Sequence, residues 1–291
     1  MSTKFIVMRI LLLLLLFSFS YGASSYGGLL LPNSTTSLIS YNQDYIVGKN
    51  ILLDVKSINK ISSHYISFPN TITVGVFDYQ YKTKLYKINS SISIINYGDF
   101  EDSESYYTFS SNDYILKNSF LKDLNKNIYA SFDLKYLYSE IDIYTSSTLL
   151  TKFSLFYHHQ RFLLQLFVDN YGFILNDYTT YNDKTPVSFG YNFIFTPKYI
   201  NSIISINYNI YEDYDVFNVS SELFLMKNSS VMFGFSSLSK DLYYGEFYND
   251  FLTGLSFSFN SKYKNYFINL GFKNLGAVGT CTSFTIQKSL N

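Results

Sequence analysis

The sequence predicts an all-β protein, a transmembrane antiparallel β-barrel of about 14 strands. Three observations carry this: a leading segment with the order of a secretory signal, apolar residues at every second position through much of the remainder, and alternating runs long enough to cross a bilayer. In the leading segment, Lys4 and Arg9 precede an apolar stretch from Ile10 to Phe17 that fades into small residues around Ser20 and Gly22. That order is the secretory pattern. A spanning helix needs about 20 apolar residues, and this stretch is about half that, so removal after Gly22 is expected rather than anchoring. No Cys lies there to carry a lipid. Residues 23–291 then form a single barrel domain, with 23–60 read as a plug or a periplasmic segment.

Strands follow from the period. From Ile128 the even positions read Ile128, Ala130, Phe132, Leu134, Tyr136 and Tyr138, while Ser131, Asp133, Lys135 and Ser139 stand between them. One face is apolar and the other polar, as in a two-faced strand. A tilted transmembrane strand needs about 9–11 residues, and this run supplies them. The same alternation returns where Val187, Phe189, Tyr191 and Phe193 oppose Ser188, Gly190 and Asn192, and where Ile204, Ile206, Tyr208 and Ile210 oppose Ser205, Asn207 and Asn209. It returns again at Leu255, Phe257 and Phe259, and at Tyr266, Ile268, Leu270 and Phe272. Strand starts are placed near residues 47, 62, 72, 85, 106, 128, 145, 161, 187, 202, 216, 230, 252 and 263, with a last one near 280 that can replace the weak first. No helical stripe is read after residue 22.

Breaks rich in Gly, Asn, Asp and Ser separate these runs. Met226–Ser230 and Asn260–Lys262 read as short periplasmic hairpins. Gly98–Ser105, Asn170–Thr185 and Leu238–Asp250 read as longer outward loops. A soluble sandwich also alternates, but three features favour the barrel. Many runs exceed the usual five or six residues of soluble strands, the polar faces hold small and amide residues that suit an enclosed interior, and the 4 prolines avoid the clearest strands.

The composition holds 30 Tyr and 28 Phe but no Trp, with 15% charged residues and zero formal net charge. Aromatics at this density suit strands and membrane interfaces. An AT-rich genome inflates the same residues, so position carries more than number. Balanced charge without a Lys/Arg cluster along the chain argues against nucleic-acid binding, which concentrates positive charge. The single Cys281 cannot form an internal disulfide.

The order of several landmarks resembles the PorV/PorQ family of outer-membrane proteins. These are Ile95-Asn96-Tyr97-Gly98-Asp99-Phe100-Glu101, then Phe109 to Tyr114, then the strand ending Leu134 to Ser139, then Ile143 to Ser147 and Val168-Asp169-Asn170-Tyr171-Gly172. Phe267 to Phe272 followed by Leu275 to Thr280 resembles the family's closing hairpin with its glycine-rich turn. The resemblance covers roughly residues 85–290. It implies a barrel similar to the long-chain fatty-acid transporter architecture, residence in the bacterial outer membrane, and contact with its lipid. It also implies a non-enzymatic role in type IX secretion, binding or shuttling exported cargo proteins to a surface-attachment complex. The other readings are an outer-membrane transporter or porin for hydrophobic or small solutes, and a structural barrel without ligand.

No residue pattern calls for catalysis, a cofactor or a metal. His158 and His159 are neighbours placed in a turn, and on a strand neighbours face opposite ways, so they cannot chelate one ion. No serine stands in a Gly-x-Ser-x-Gly elbow. The acidic loop Asp99, Glu101, Asp102 and Glu104 is a candidate partner-binding loop, without the spacing of an EF-hand. Asp133 and Lys135, two apart on one face, are candidate lumen residues, lining a passage or forming a structural charge pair with one another. The Asn-x-Ser/Thr triplets at Asn33, Asn89, Asn218 and Asn228 carry no meaning in so Asn- and Ser-rich a chain.

Overall fold

The computed structural model describes residues 26–40, 45–46, 49–50, 59–83, 86–101, 106–178, 184–238 and 252–290. The leading segment with its expected cleavage site, and Asp102 and Glu104 of the acidic run, lie outside them. The described chain forms a closed antiparallel barrel. Its strands are β1 (Lys60–Ser67), β2 (Thr73–Lys82), β3 (Lys87–Glu101), β4 (Thr108–Asp123), β5 (Ile128–Ile141), β6 (Tyr144–His159) and β7 (Phe162–Asn176). They continue as β8 (Ser188–Phe195), β9 (Ser202–Ile210), β10 (Asp215–Met226), β11 (Ser229–Ser236), β12 (Leu255–Tyr263), β13 (Tyr266–Asn274) and β14 (Thr280–Ser289). Each strand pairs with its sequence neighbours, and β14 closes on β1 with Thr285 opposite His64 and Ser283 opposite Ile66. Closure leaves no backbone edge unpaired, which a bilayer demands.

The sequence placed a weak strand near 47 and a replacement near 280. The replacement is the barrel strand. Tyr45–Ile46 and Lys49–Asn50 form only a two-residue ladder outside the barrel. The hairpin expected at Asn260–Lys262 falls later, at Lys264–Asn265, with Lys264 in the left-handed region (φ 53°) and Tyr263 opposite Tyr266. Asn260 reads as a turn residue, yet it faces the lumen opposite Asn269, where an amide is at home. His158 and His159 likewise end β6, and the turn itself is Gln160–Arg161. One helical turn, α1 (Thr35–Ser40), lies in a stretch where the sequence shows no helical stripe. Six residues, four of them Ser or Thr, are too few to show a stripe.

Alternation sorts the strands by face. On β12 and β13, Ser256, Ser258, Asn260, Asn269 and Lys273 are buried, while Phe257, Phe259, Leu270 and Phe272 are exposed outward. Exposure of so many large apolar side chains on one continuous surface is the signature of a lipid-facing wall. Phe257 pairs across strands with Phe233, their ring centroids 5.4 Å apart. Phe257→Arg should therefore cost about 2–4 kcal/mol of folding stability in vesicles by equilibrium denaturation, the toll of a charge on the lipid face near the midplane. A loss near zero would place this wall in water.

The turns divide by end. Where the chain enters β1 and leaves β14, the connections are short, such as Gln160–Arg161, Lys227–Asn228 and Lys264–Asn265. The three connections read as outward loops, after β3, β7 and β11, share the opposite end. β4 and β6 reach 16 residues, more than a bilayer crossing needs, so this side of the barrel projects beyond it.

Candidate functional site: the filled lumen

Inward side chains build the lumen wall in two polar sectors. On β7–β10 runs a chain of amides: Asn192 donates to Gln165 Oε1 at 2.7 Å, Asn207 donates to Asn192, and Asn209 and Asn218 each donate to Asn207 Oδ1, at 2.9 and 3.0 Å. Amides carry donor and acceptor together, so they can link strand to strand without charge. On β4–β7 the wall is ionic. Lys117 lies opposite Lys135, and Asp133 lies opposite Lys152.

A bulge in β7 sets the key contact of the ionic sector. The β6–β7 register shifts between Thr151 and Phe153, and Asn170 takes φ 57°. Asn and Asp tolerate that left-handed backbone better than most residues. The extra residue turns Asp169 and Asn170 inward together, and Lys135 Nζ donates to both, at 2.6 Å to Asp169 Oδ1 and 2.9 Å to Asn170 Oδ1. Lys152 Nζ stands 3.8 Å from Asp169 Oδ2. Asp133 and Lys135 both lie buried on the lumen wall, and Lys135 reaches the Asp169 carboxylate across the sheet. Sequence spacing could suggest only the local partner; this one is 34 residues away.

Residues 26–40 run inside this wall. Tyr26 and Leu29 are buried, as is every residue of α1. Polar anchors include Tyr26 Oη, which donates to Ser146 Oγ at 2.6 Å while Ser146 donates on to the Asn176 carbonyl, Thr35 Oγ1, which meets Thr285 Oγ1 at 3.0 Å, and Asn269, which donates to Thr36 Oγ1 at 3.3 Å. Leu38 and Ile39 pack with inward apolar residues of the wall, including Ile66 and Met232. Close approach is set by glycine at three places. A Cβ on Gly28 would collide with Asp113 and the Tyr97 hydroxyl, one on Gly271 with Thr35, and one on Gly234 with the Ile39 carbonyl oxygen.

Thr285 ties the segment to a half-buried relay. His64 Nδ1 stands 2.8 Å from Thr285 Oγ1, and His64 Nε2 stands 2.8 Å from Asp78 Oδ2. Acid, imidazole and hydroxyl in that order are the parts of a nucleophilic triad. Here Thr285 is buried and faces Thr35, so the relay holds the segment. Nothing in the sequence pointed to it, since His64 and Thr285 are 221 residues apart and meet only through barrel closure.

Inward Leu121, Tyr129, Phe156, Leu163, Ile194, Ile203 and Phe224, one on each strand from β4 to β10, form an apolar layer at the short-turn end. Against the segment, at Leu29, lie cavities of about 40 Å³, lined by Lys117, Lys135 and Ser91, and about 60 Å³, lined by Lys152, Asp169, Asn192 and Tyr211. Each has room for a few waters. Burial beside Tyr214 holds the Tyr211 phenol well above its usual range, so it lines the cavity as a neutral hydroxyl. Among the described residues no group of three or more His, Cys, Asp and Glu could hold a metal ion.

Asp99 and Glu101 are exposed, but on strand: β3 continues past a bulge at Gly98 (φ 85°), with Asp99 opposite Ser110 and Glu101 opposite Thr108. The acidic run therefore begins as a projecting edge of the wall, not as a free loop.

The closed barrel with an internal N-terminal segment matches solved structures over nearly their whole length. The toluene transporter TbuX of Ralstonia pickettii aligns at TM-score 0.61 and 8% identity over 90% of this chain and 99% of that one. A TodX monoaromatic hydrocarbon channel variant aligns at 0.60, with 8% identity over 89% and 99%, and the CymD monoaromatic hydrocarbon channel at 0.57, with 8% identity over 90% and 98%. The fold is that of outer-membrane hydrocarbon channels. No family model and no curated protein matches the sequence.

Proposed function

We propose that this protein is an outer-membrane channel for small, hydrogen-bonding solutes, closed at rest by residues 26–40. The observation that carries it is a closed barrel with residues 26–40 of the same chain lying inside its lumen, hydrogen-bonded to the wall through side chains. The neighbours in fold are channels and transporters by name. Their names concern hydrocarbons, but the amide and ionic sectors here offer donors and acceptors, and an apolar solute gains nothing by displacing water from them. Export by the leading segment and residence in the outer membrane accord with the apolar outer wall. The cargo-binding reading for type IX secretion rests on the sequence resemblance alone.

Purified protein in liposomes should admit small neutral sugars or amino acids in a swelling assay and show no preferential uptake of toluene. Preferential toluene uptake would replace the polar solute with an apolar one. No uptake of either, together with capture of secreted proteins sharing a C-terminal sorting domain, would return the secretion role.

A further inference from the structure

The rims carry opposite charge. At the short-turn end, the described turns from β4–β5 to β12–β13 each hold one basic residue, Lys126, Arg161, Lys198, Lys227 and Lys264, and no acid. At the other end the described turns hold Asp142, Asp177, Glu212 and Asp213 against Lys184. The chain as a whole is neutral and shows no basic run; antiparallel pairing alone gathers these residues at one level.

At one corner of the short-turn rim the cations are set on tyrosines. Lys264 Nζ lies 5.4 Å from the Tyr263 ring centroid and Lys288 Nζ lies 5.5 Å from that of Tyr266. The two tyrosines are paired in register across β12 and β13, and Lys288 lies opposite Tyr266 on β14. Tyr263, Tyr266 and Lys288 all share the outward parity of Phe259, Ile268 and Ile286. Tyr263 is 67% exposed. The pattern recurs around the rim, with Lys198 at 5.2 Å from Tyr199 and Lys122 at 5.7 Å from Tyr86. A tyrosine at the edge of an apolar wall sits at headgroup depth, and a cation stacked on it is held there instead of extending into water.

We propose that the Tyr263–Lys264–Tyr266–Lys288 corner is a binding site for the phosphate of an anionic phospholipid whose acyl chains lie along the outer faces of β12–β14. Two fixed cations meet the headgroup, and Phe257, Phe259, Leu270 and Phe284 supply the apolar wall beneath it. A free anion would use only the first half of this arrangement; a lipid uses both. The inference rests on the membrane half of the proposed function and not on what passes through the lumen.

Native mass spectrometry of the full chain, titrated in neutral detergent with phosphatidylglycerol or phosphatidylcholine, tests it. Phosphatidylglycerol should bind preferentially. Each lysine near an anionic surface is worth roughly fivefold, so Lys264→Gln with Lys288→Gln should reduce that preference at least about fivefold. Phosphatidylcholine binding and heat-modifiable migration should be unchanged. Lys264→Arg with Lys288→Arg should keep the preference, which guards against a fold defect in the glutamine pair. Equal binding of both lipids, an unchanged preference in the glutamine pair, or displacement of phosphatidylglycerol by equimolar inorganic phosphate would overturn the site. Capture of a periplasmic protein by this corner with no lipid preference would also overturn it. A barrel that binds phosphatidylglycerol but admits no solute would fail the channel reading while leaving this one standing.

Discussion

Deleting residues 26–40 should raise the single-channel conductance of the barrel by at least about tenfold, because a lumen of this strand number is then open where side chains alone do not fill it. In the intact protein the segment crosses from Tyr26, near the long-loop end at Ser146, to α1 against β11–β14. Two cavities against the segment, of about 40 and 60 Å³, are each too small for a solute. Planar-bilayer recordings of the deleted and intact proteins check the prediction. A smaller insult should act in the same direction: Gly234→Val drives a side chain into the Ile39 carbonyl and so displaces α1 without shortening the chain. Protease should then cut the segment faster than in the parent. If conductance stays low in both variants, the apolar layer from Leu121 to Phe224 is itself the barrier, and the segment is structural.

How much of this the sequence could show depends on the distance over which each feature is encoded. Two-faced strands are written within ten residues, so Ile128–Ile141 and Ser202–Ile210 are legible from their alternation alone. Barrel closure is legible too, since the strand near 280 has to pair with something and the first strong strand is its partner. Turn positions shift by a few residues because lumen-facing Asn, as at Asn260, looks like turn Asn. The site is less legible. Asp133 and Lys135 were visible as inward residues, but the bulge at Asn170 that brings Asp169 to Lys135 depends on a backbone conformation no pattern announces. The plug contacts join Thr35 to Thr285 and Thr36 to Asn269 across more than 230 residues, and a Thr/Ser-rich turn of helix has no periodic signature. The basic rim is invisible for a related reason. Its members are spaced one per hairpin along the chain and become a cluster only when hairpins stand side by side.

Asp169→Ala should cost about 3–5 kcal/mol of stability, the range for removing one partner from a buried ion pair. Lys135 is 4% exposed, Asp169 8%, and the 2.6 Å contact between them is reinforced by Asn170 and by Lys152 at 3.8 Å. Without the carboxylate, Lys135 and Lys152 face each other's charge in the lumen, with Lys117 opposite Lys135 and Asp133 opposite Lys152. Equilibrium unfolding in lipid vesicles reads the loss. Asp215→Asn serves as control: its carboxylate accepts from the exposed Tyr208 hydroxyl at 2.7 Å, and the change should stay within about 0.5 kcal/mol. Replacing the pair together, Lys135→Met with Asp169→Leu, should recover most of the stability, since the cost lies in the orphaned charge more than in the lost attraction. The two variants part again in conductance once residues 26–40 are deleted. Asp169→Ala leaves a surplus of lysine on the wall and should shift ion preference toward anions, while the double variant removes one charge of each sign and should not. If Asp169→Ala instead costs less than about 1 kcal/mol, water reaches Lys135 in the resting barrel and the ionic sector is part of a hydrated path.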